Sequence, residues 1–479
     1  MADSDEKDFF AAINALDDLL RFDFKQLSID IFANWGNPTE VIIKMIELPF
    51  FKAFCFITNT TADNPRALSV IGFFNVLISV SLLLVFYGIL RNLKFDRQSS
   101  ILGVILLGGL VNMNLYVRHI LSYDEALLFY LLSLYFLTSE QSKFNKYKLA
   151  GFMAGMGFTT YPGPFMFLPI LGLFILITHR KNFFFAATKP AIYFGFSFLG
   201  VLLFYELVSR IGGNSYITSA FLLSEAIIEG SHSEGFSFLF SYMLHVEKIW
   251  GVLLLAAFCL SFLFLFRRNS YDKAKTITGL SVLAYLAFAI YVYYFKQMVW
   301  YGRVLHMYFP FIVIGVIVFL NECRFLHRRA IYISIGIASA INYAINIYDL
   351  NTIAYPRDVL YKYGIATKFK TIQPNYIYQL INIYDYAEID NSLNADIKAP
   401  LLPNGKYDLL NFCWLRHYPD FRYLYDYQPY NLDTVKRENI VFQKTHFMSH
   451  PAYAFEYCTV AGKIFFVEKK FQIMIIKKP

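Results

Sequence analysis

Residues 68–90 read LSVIGFFNVLISVSLLLVFYGIL and are followed at once by Arg91, Lys94 and Arg97. A helix rising about 1.5 Å per residue needs about 20 such residues to cross a hydrocarbon core about 30 Å thick, so this run is long enough to span a bilayer. The cations mark where it leaves the lipid. The same alternation of apolar run and charged gap recurs along the chain, at approximately 99–117, 124–138, 147–161, 163–179, 185–207, 249–266, 276–295, 304–322 and 330–348. Several of these runs are too short to cross unless polar ends extend them. The expectation is a mainly α polytopic transmembrane helical bundle of about ten spans.

Composition points the same way. Of the 479 residues 57% are hydrophobic, and the mean hydropathy is +0.44, so lipid is the main solvent and length counts helices rather than soluble domains. The 51 Phe and 36 Tyr suit lipid-facing surfaces and interfacial belts and name no chemistry. A formal charge of +8 could suggest nucleic acid, but the Lys and Arg residues sit mostly in short gaps between apolar runs. They read as topology signals, and no nucleic-acid partner is expected.

The gaps form two alternating sets. One is basic: Arg91, Lys94 and Arg97; Lys143, Lys146 and Lys148; Arg180 and Lys181; Arg267, Arg268, Lys273 and Lys275; Arg324, Arg328 and Arg329. The other carries little positive charge and holds Asp124, Glu125, Tyr161, Glu225, Glu229, His232, His245, Lys296 and Arg303. Short basic loops favour the cytoplasm, so the second set, residues 1–67 and residues 349–479 are expected on the other side. Every chemically interesting residue then faces one compartment.

This divides the chain into an external loop over 1–67, a transmembrane helical domain over 68–348 and an extracytoplasmic C-terminal domain over 349–479. The first reads as two amphipathic juxtamembrane helices, about 5–21 and 40–57, joined by the Trp35-Gly36-Asn37-Pro38 turn, with an interfacial Leu48-Pro49-Phe50-Phe51 stretch. The last has no spanning run, and Tyr407–Trp414, Tyr453–Cys458 and Lys463–Ile476 read like short strands, so a small mixed α/β domain is expected. Cys55, Cys259 and Cys323 lie in or beside apolar runs, whereas Cys413 and Cys458 share a polar region and could pair. The acidic, polar start from Met1 to Asp8 does not read as a cleavable signal peptide.

Three places could carry chemistry. Asp5 and Glu6 lie in the acidic cluster that opens the first amphipathic helix, where carboxylates also simply favour a helix N-terminus. Asp124 and Glu125 follow Arg118, His119 and Tyr123 between two apolar runs, where plain helix capping is the alternative. Two acidic sites flanked by aromatics at one membrane face suit a base and an orienting group. Trp300-Tyr301-Gly302-Arg303-Val304-Leu305-His306, with Lys296 just before, offers a guanidinium fork for phosphate oxygens or, equally, a snorkelling arginine. The Thr159-Thr160-Tyr161-Pro162-Gly163-Pro164 break is a hairpin turn by default and a substrate lining otherwise. The loop 208–247 contains Glu225, Glu229, His232, Glu234 and His245, but their spacing matches no metal-ligand pattern, so no metal site is assigned. Walker loops, dinucleotide fingerprints, nucleophile elbows and paired CxxC motifs are absent from the sequence.

In this order the motifs resemble the GT-C-type membrane glycosyltransferases, the superfamily of protein O-mannosyltransferases and lipid A aminoarabinose transferases. The likeness runs through Asp5-Glu6, Trp35-Gly36-Asn37-Pro38, Leu48-Pro49-Phe50-Phe51, Pro65-Arg66-Ala67-Leu68-Ser69, Tyr123-Asp124-Glu125, Thr160-Tyr161-Pro162-Gly163 and Arg303-Val304-Leu305-His306 ahead of Phe309-Pro310, over roughly residues 1–350. The resemblance implies a polyprenyl-phosphate-sugar donor, an unknown glycan, lipid or protein acceptor, and inverting transfer on the extracytoplasmic side. It makes Asp5 the catalytic base beside Glu6 and Asp124 the matching carboxylate of the second external loop. Arg303 would hold the donor phosphate with His306, Lys296 or Arg118, while Tyr161, Glu125 and Tyr301 line the substrate. No cofactor is implied with certainty, and a divalent cation stays open. The family pattern places a membrane helix before the first acidic loop, and this sequence opens almost on the motif, so either the start is truncated or the protein lacks that helix.

Two other classes remain in view. A transporter or flippase should show buried polar groups near mid-membrane in broken helices, and a non-catalytic membrane assembly protein should tolerate loss of Asp5 and Asp124. Richness in Phe, Tyr, Ile, Lys and Asn inclines the reading to an AT-rich bacterium, and so to a multi-pass protein of the bacterial inner membrane with its site facing outward.

Overall fold

The computed structural model describes residues 7–32, 37–60, 65–116, 122–140, 145–163, 167–179, 188–229, 238–265, 271–295, 302–323 and 327–352, together with strands between 377 and 478. It is mainly helical. The chain divides into two units, Asp8–Phe50 with Ile71–Asn346, and Met1–Lys7 with Phe51–Val70 and Ile347–Pro479.

The helices are α1 Lys7–Leu20, α2 Phe24–Phe32, α3 Pro38–Thr58, α4 Pro65–Asn92, α5 Arg97–Gly108, α6 Val111–Tyr116, α7 Tyr123–Thr138 and α8 Asn145–Thr160. They continue as α9 Phe167–Thr178, α10 Thr188–Ile211, α11 Tyr216–Glu229, α12 Phe238–His245, α13 Lys248–Ser261, α14 Asp272–Phe295, α15 Gly302–Glu322 and α16 Arg328–Thr352. Each apolar run expected to be a span is helical over most of its length. Among the described residues, four helices are long and apolar enough to cross a membrane: Ser69–Asn92, Thr188–Ile211, Asp272–Tyr291 and Gly302–Glu322. Several of the others are too short. Helices α7 and α8 have 16 residues each and α9 has 12, which at about 1.5 Å per residue is less than the hydrocarbon thickness.

The expected span over 99–117 is broken. Helix α5 ends at Gly108, the chain turns through Gly109 and Leu110, and α6 starts at Val111. The carbonyls freed at the break are taken up by Asn114, whose Nδ2 donates to Gly108 O and Leu110 O at 2.8 Å each. Broken helices persist in apolar surroundings only when such groups are satisfied.

The first loop also holds one helix more than expected. Helix α2 follows a corner in which Phe22 takes φ 60°, a left-handed conformation that a bulky side chain rarely adopts. No Gly or Asn advertises that corner, so the sequence pattern conceals it. Ser28 of α2 donates to Val208 O at 2.7 Å and accepts from Gly212 N at 3.1 Å, tying the loop to the end of α10. Thr39 of α3 bonds Thr159 of α8 and Tyr205 of α10 at 2.6 and 2.8 Å, joining three helix ends.

Close packing at small residues sets the bundle. Gly151 and Gly155 on α8 lie against α10, and a Cβ on Gly151 would collide with the Phe194 carbonyl. That spacing of two glycines four apart lets two backbones approach in an apolar medium. Helix α15 is the most enclosed of the four long apolar helices, with 89% of its apolar window buried, so its polar side chains face other helices.

Polar contacts of the basic gaps gather within the larger unit. Arg328 bonds Ser99, Asn321 and Tyr332 and pairs with Asp96, Lys94 pairs with Glu140, Lys273 donates to Thr138 O, and Lys275 pairs with Glu322 at 2.9 Å. In the other unit β1 Ile377–Tyr384, β2 Leu424–Tyr425, β3 Ile440–Met448 and β6 Lys469–Lys478 form a sheet in the order β2-β1-β6-β3, with β6 antiparallel to β1 and β3. Strands β4 Thr459–Val460 and β5 Lys463–Ile464 pair separately. Tyr407–Trp414, Tyr453–Cys458 and both cysteines of the suggested pair lie outside the described residues.

Candidate active site

The first turn of α7 presents Tyr123, Asp124 and Glu125, all buried. The hydrogen bonds found for the two carboxylates run to side chains of other helices rather than to their own helix end. Asp124 Oδ1 meets His306 Nε2 of α15 at 2.8 Å, and Glu125 Oε1 accepts from Lys44 Nζ of α3 at 2.9 Å. Helix capping therefore does not account for the pair. Its three neighbours are buried too: Lys44, Glu47 and His306.

His306 is held from both sides. Asn112 Nδ2 donates to Gly302 O at 3.0 Å and to Tyr242 OH at 2.7 Å, which turns its amide oxygen toward His306 Nδ1 at 2.9 Å. A carbonyl oxygen only accepts, so Nδ1 carries a proton and donates it. The Nε2–Oδ1 hydrogen bond to Asp124 is then closed by a proton on one of those two atoms. Asn112 sits on α6, and the break after Gly108 is what brings it here. Glu247, between α12 and α13, accepts from Val111 N and Asn112 N at 3.0 Å each.

Lys44 serves two carboxylates. Its Nζ is 2.9 Å from Glu125 and 3.4 Å from Glu47, three residues on along α3. One buried ammonium cannot neutralise both, and burial, resisted by Lys44 and reinforced by Glu125, pushes the Glu47 carboxyl up to about 7. Burial also pushes Glu247 up to about 7 against its two backbone donors. Among buried side-chain atoms, Asp124 Oδ2 and Glu125 Oε2 have no hydrogen-bond partner within the described residues. Buried acceptors left open in this way cost about 1–3 kcal/mol each and leave room for a donor group of a ligand.

The cationic side of the site is aromatic. Arg303 Nη1 donates to Tyr123 OH at 2.6 Å, with the guanidinium 5.3 Å from the Tyr123 ring centroid, and the Tyr161 ring meets Tyr123 edge-on at 4.7 Å. Gly163 makes room for that ring, since a Cβ there would overlap Tyr161. The structure thus brings together Asp124, Glu125, Tyr161, Arg303 and His306, which lie far apart in sequence. Asp5, Glu6, Arg118, Lys296 and Tyr301 lie outside the described residues.

Sequence reasoning overlooked Lys44, Glu47, Asn112, Tyr242 and Glu247. A signal existed for three of them. Lys44 and Glu47 are charges within the apolar Val41–Phe51 stretch, and Asn112 is an amide inside an apolar run, both of which call for a partner in an apolar medium. Glu247, at the edge of an apolar run, carries no such signal.

Residues 56–209 match the family model described as dolichyl-phosphate-mannose-protein mannosyltransferase. That stretch contains Asn112, Tyr123, Asp124, Glu125 and Tyr161 and ends before Arg303 and His306. No curated protein and no solved structure matches the chain. With its apolar helices the chain is an integral membrane protein, and the match bears out its resemblance to the GT-C-type membrane glycosyltransferases.

Proposed function

We propose that this protein transfers a sugar from a polyprenyl-phosphate-linked donor to an acceptor hydroxyl on the extracytoplasmic side of the membrane, with inversion at the anomeric carbon. The observation that carries the reading is the first turn of α7, where two adjacent buried carboxyl groups are held by side chains of other helices, Glu125 by Lys44 and Asp124 by His306, and each keeps one oxygen open. Arg303, braced on Tyr123, supplies the fixed fork that an anionic leaving group needs.

In this reading the bundle has about ten spans, and the donor's polyprenyl tail lies between helices at the outer leaflet. Its phosphate meets Arg303, assisted by His306, Lys296 or Arg118. Asp5, with Glu6 beside it, takes the proton from the acceptor hydroxyl as the oxygen bonds to the anomeric carbon. The bond from that carbon to the phosphate oxygen breaks, and polyprenyl phosphate leaves with the electron pair. Asp124 orients the reacting groups, while Glu125, Tyr161 and Tyr301 line the sugar. The C-terminal region, as a mixed α/β domain outside the cytoplasm, helps to select the acceptor. The protein then resides in a bacterial inner membrane.

Purified protein incubated with a panel of polyprenyl-phosphate sugars should release or transfer sugar, read by mass spectrometry. A positioned base contributes about 10²–10⁴ in rate, so Asp5→Asn should reduce transfer by that order without loss of folded protein. Transfer at the wild-type rate in Asp5→Asn removes the base assignment. Dispensable Asp5 and Asp124, with no turnover from any donor, would favour a non-catalytic assembly protein.

A further inference from the structure

Glu247 makes no contact with Asp124 or His306 among the hydrogen bonds described, yet it is fully buried at the corner between α12 and α13. Three features show that this corner is built to a fixed shape. Lys248, the next residue, takes φ 57°, a conformation that costs a side-chain-bearing residue on the order of 1 kcal/mol or more and persists only where surrounding contacts enforce it. Gly251 closes the turn against Met243 and Glu247, and a Cβ there would collide with the Met243 carbonyl and the Glu247 side chain. Val246 N donates to Tyr242 O at 2.8 Å, closing a last helical turn immediately before Glu247.

This corner grips one residue twice. Tyr242 OH accepts from the Asn112 side chain at 2.7 Å, and the two oxygens of Glu247 accept from the backbone N–H groups of Asn112 and Val111 at 3.0 Å each. Backbone and side chain of Asn112 are therefore both held by the α12–α13 corner. The amide oxygen of Asn112 in turn receives the Nδ1–H of His306, whose Nε2 bonds Asp124. A carboxylate that binds two backbone N–H groups can be replaced by neither an amide nor a shorter acid without losing one of them.

We infer that Glu247 is a positioning residue: by fixing Asn112 at the α5–α6 break it sets the protonated nitrogen of His306, and through His306 the orientation of the Asp124 carboxylate. The inference rests on Asp124 belonging to the transfer site proposed above. Its chain of contacts is independent of any sugar or lipid.

The test uses the full chain labelled with ¹⁵N-histidine in lipid nanodiscs, with His306→Gln to assign the His306 signals among the nine histidines. In the wild type His306 should report a protonated Nδ1. Glu247→Gln and Asn112→Ala should both move the His306 ring signals and leave the remaining histidines in place. A His306 signal unchanged in Glu247→Gln overturns the inference. Should that variant not fold, an unchanged signal in Asn112→Ala overturns it equally. Where the wild type transfers sugar, Glu247→Gln should lower kcat on the order of 10²-fold with KM retained, the usual effect of a misplaced reacting group. Wild-type kcat in a variant whose His306 signals have moved would also overturn the positioning role. Absence of turnover in the wild type with every donor defeats the glycosyl-transfer reading, while the histidine spectra still decide whether Glu247 sets His306.

Discussion

Lys44 shows how one side chain can govern a site from a helix whose pattern looked merely interfacial. It donates to Glu125 and shares itself with Glu47, in surroundings where an unpaired charge is costly. Lys44→Met should leave Glu125 buried without its counter-ion and destabilise the protein by about 3–5 kcal/mol, read as a lower midpoint of thermal unfolding in detergent. Glu47 adds a pH dependence. Its folded carboxyl is pushed up to about 7 from an ordinary 4.5, so between those values the folded chain holds a proton that the unfolded chain has released. Stability is then greatest below about pH 4.5 and declines as pH rises through about 7. Glu47→Gln keeps the side chain neutral at every pH and should flatten that decline, which unfolding midpoints measured from pH 4 to 8 would reveal as about a 3 kcal/mol difference in slope-integrated stability. An equal decline in the variant would assign the effect elsewhere.

At the scale of the element, what matters is where helices break and how closely they approach. The interruption between α5 and α6 turns an expected span into two pieces and exposes Asn112 to His306. Helices α8 and α10 approach through Gly151, whose added Cβ would strike the Phe194 carbonyl, an atom with no rotamer to escape into. Gly151→Leu should therefore destabilise the bundle by about 1–3 kcal/mol or prevent its assembly, seen as reduced monodisperse yield or a lowered unfolding midpoint. Gly172, where nothing lies within 4 Å of an added Cβ, is the control: Gly172→Ala should be tolerated. Thr39, Thr159 and Tyr205 knit three further helix ends, and Thr39→Val should weaken that junction by about 1 kcal/mol or more, since two hydroxyls lose a buried partner.

At the scale of the molecule, the question is which ends of the helices face which compartment. The proposed orientation puts the gap holding Arg97 in the cytoplasm and the gap holding Asn214 outside. With the five native cysteines replaced, Asn214→Cys should react with a membrane-impermeant maleimide in intact cells, whereas Arg97→Cys should react only after lysis. The reverse pattern would place the site of Asp124 and His306 on the cytoplasmic face and remove the lipid-linked donor geometry. Both positions are exposed in the structure, so failure to label after lysis would not arise from burial.

Helical character and the membrane environment were open to sequence reading, because apolar run length and charge in the gaps are local properties of the chain. The resemblance that singled out Tyr123, Asp124, Glu125, Tyr161, Arg303 and His306 was likewise carried by short contiguous motifs. Which of those residues meet was not local. Phe22 turns a corner without a glycine, α5 stops where hydropathy continues, and Glu247 reaches back 135 residues to the backbone of Asn112. Hydrogen bonds of that kind depend on where the backbone of one element lies relative to a side chain of another, and only the packed bundle decides it.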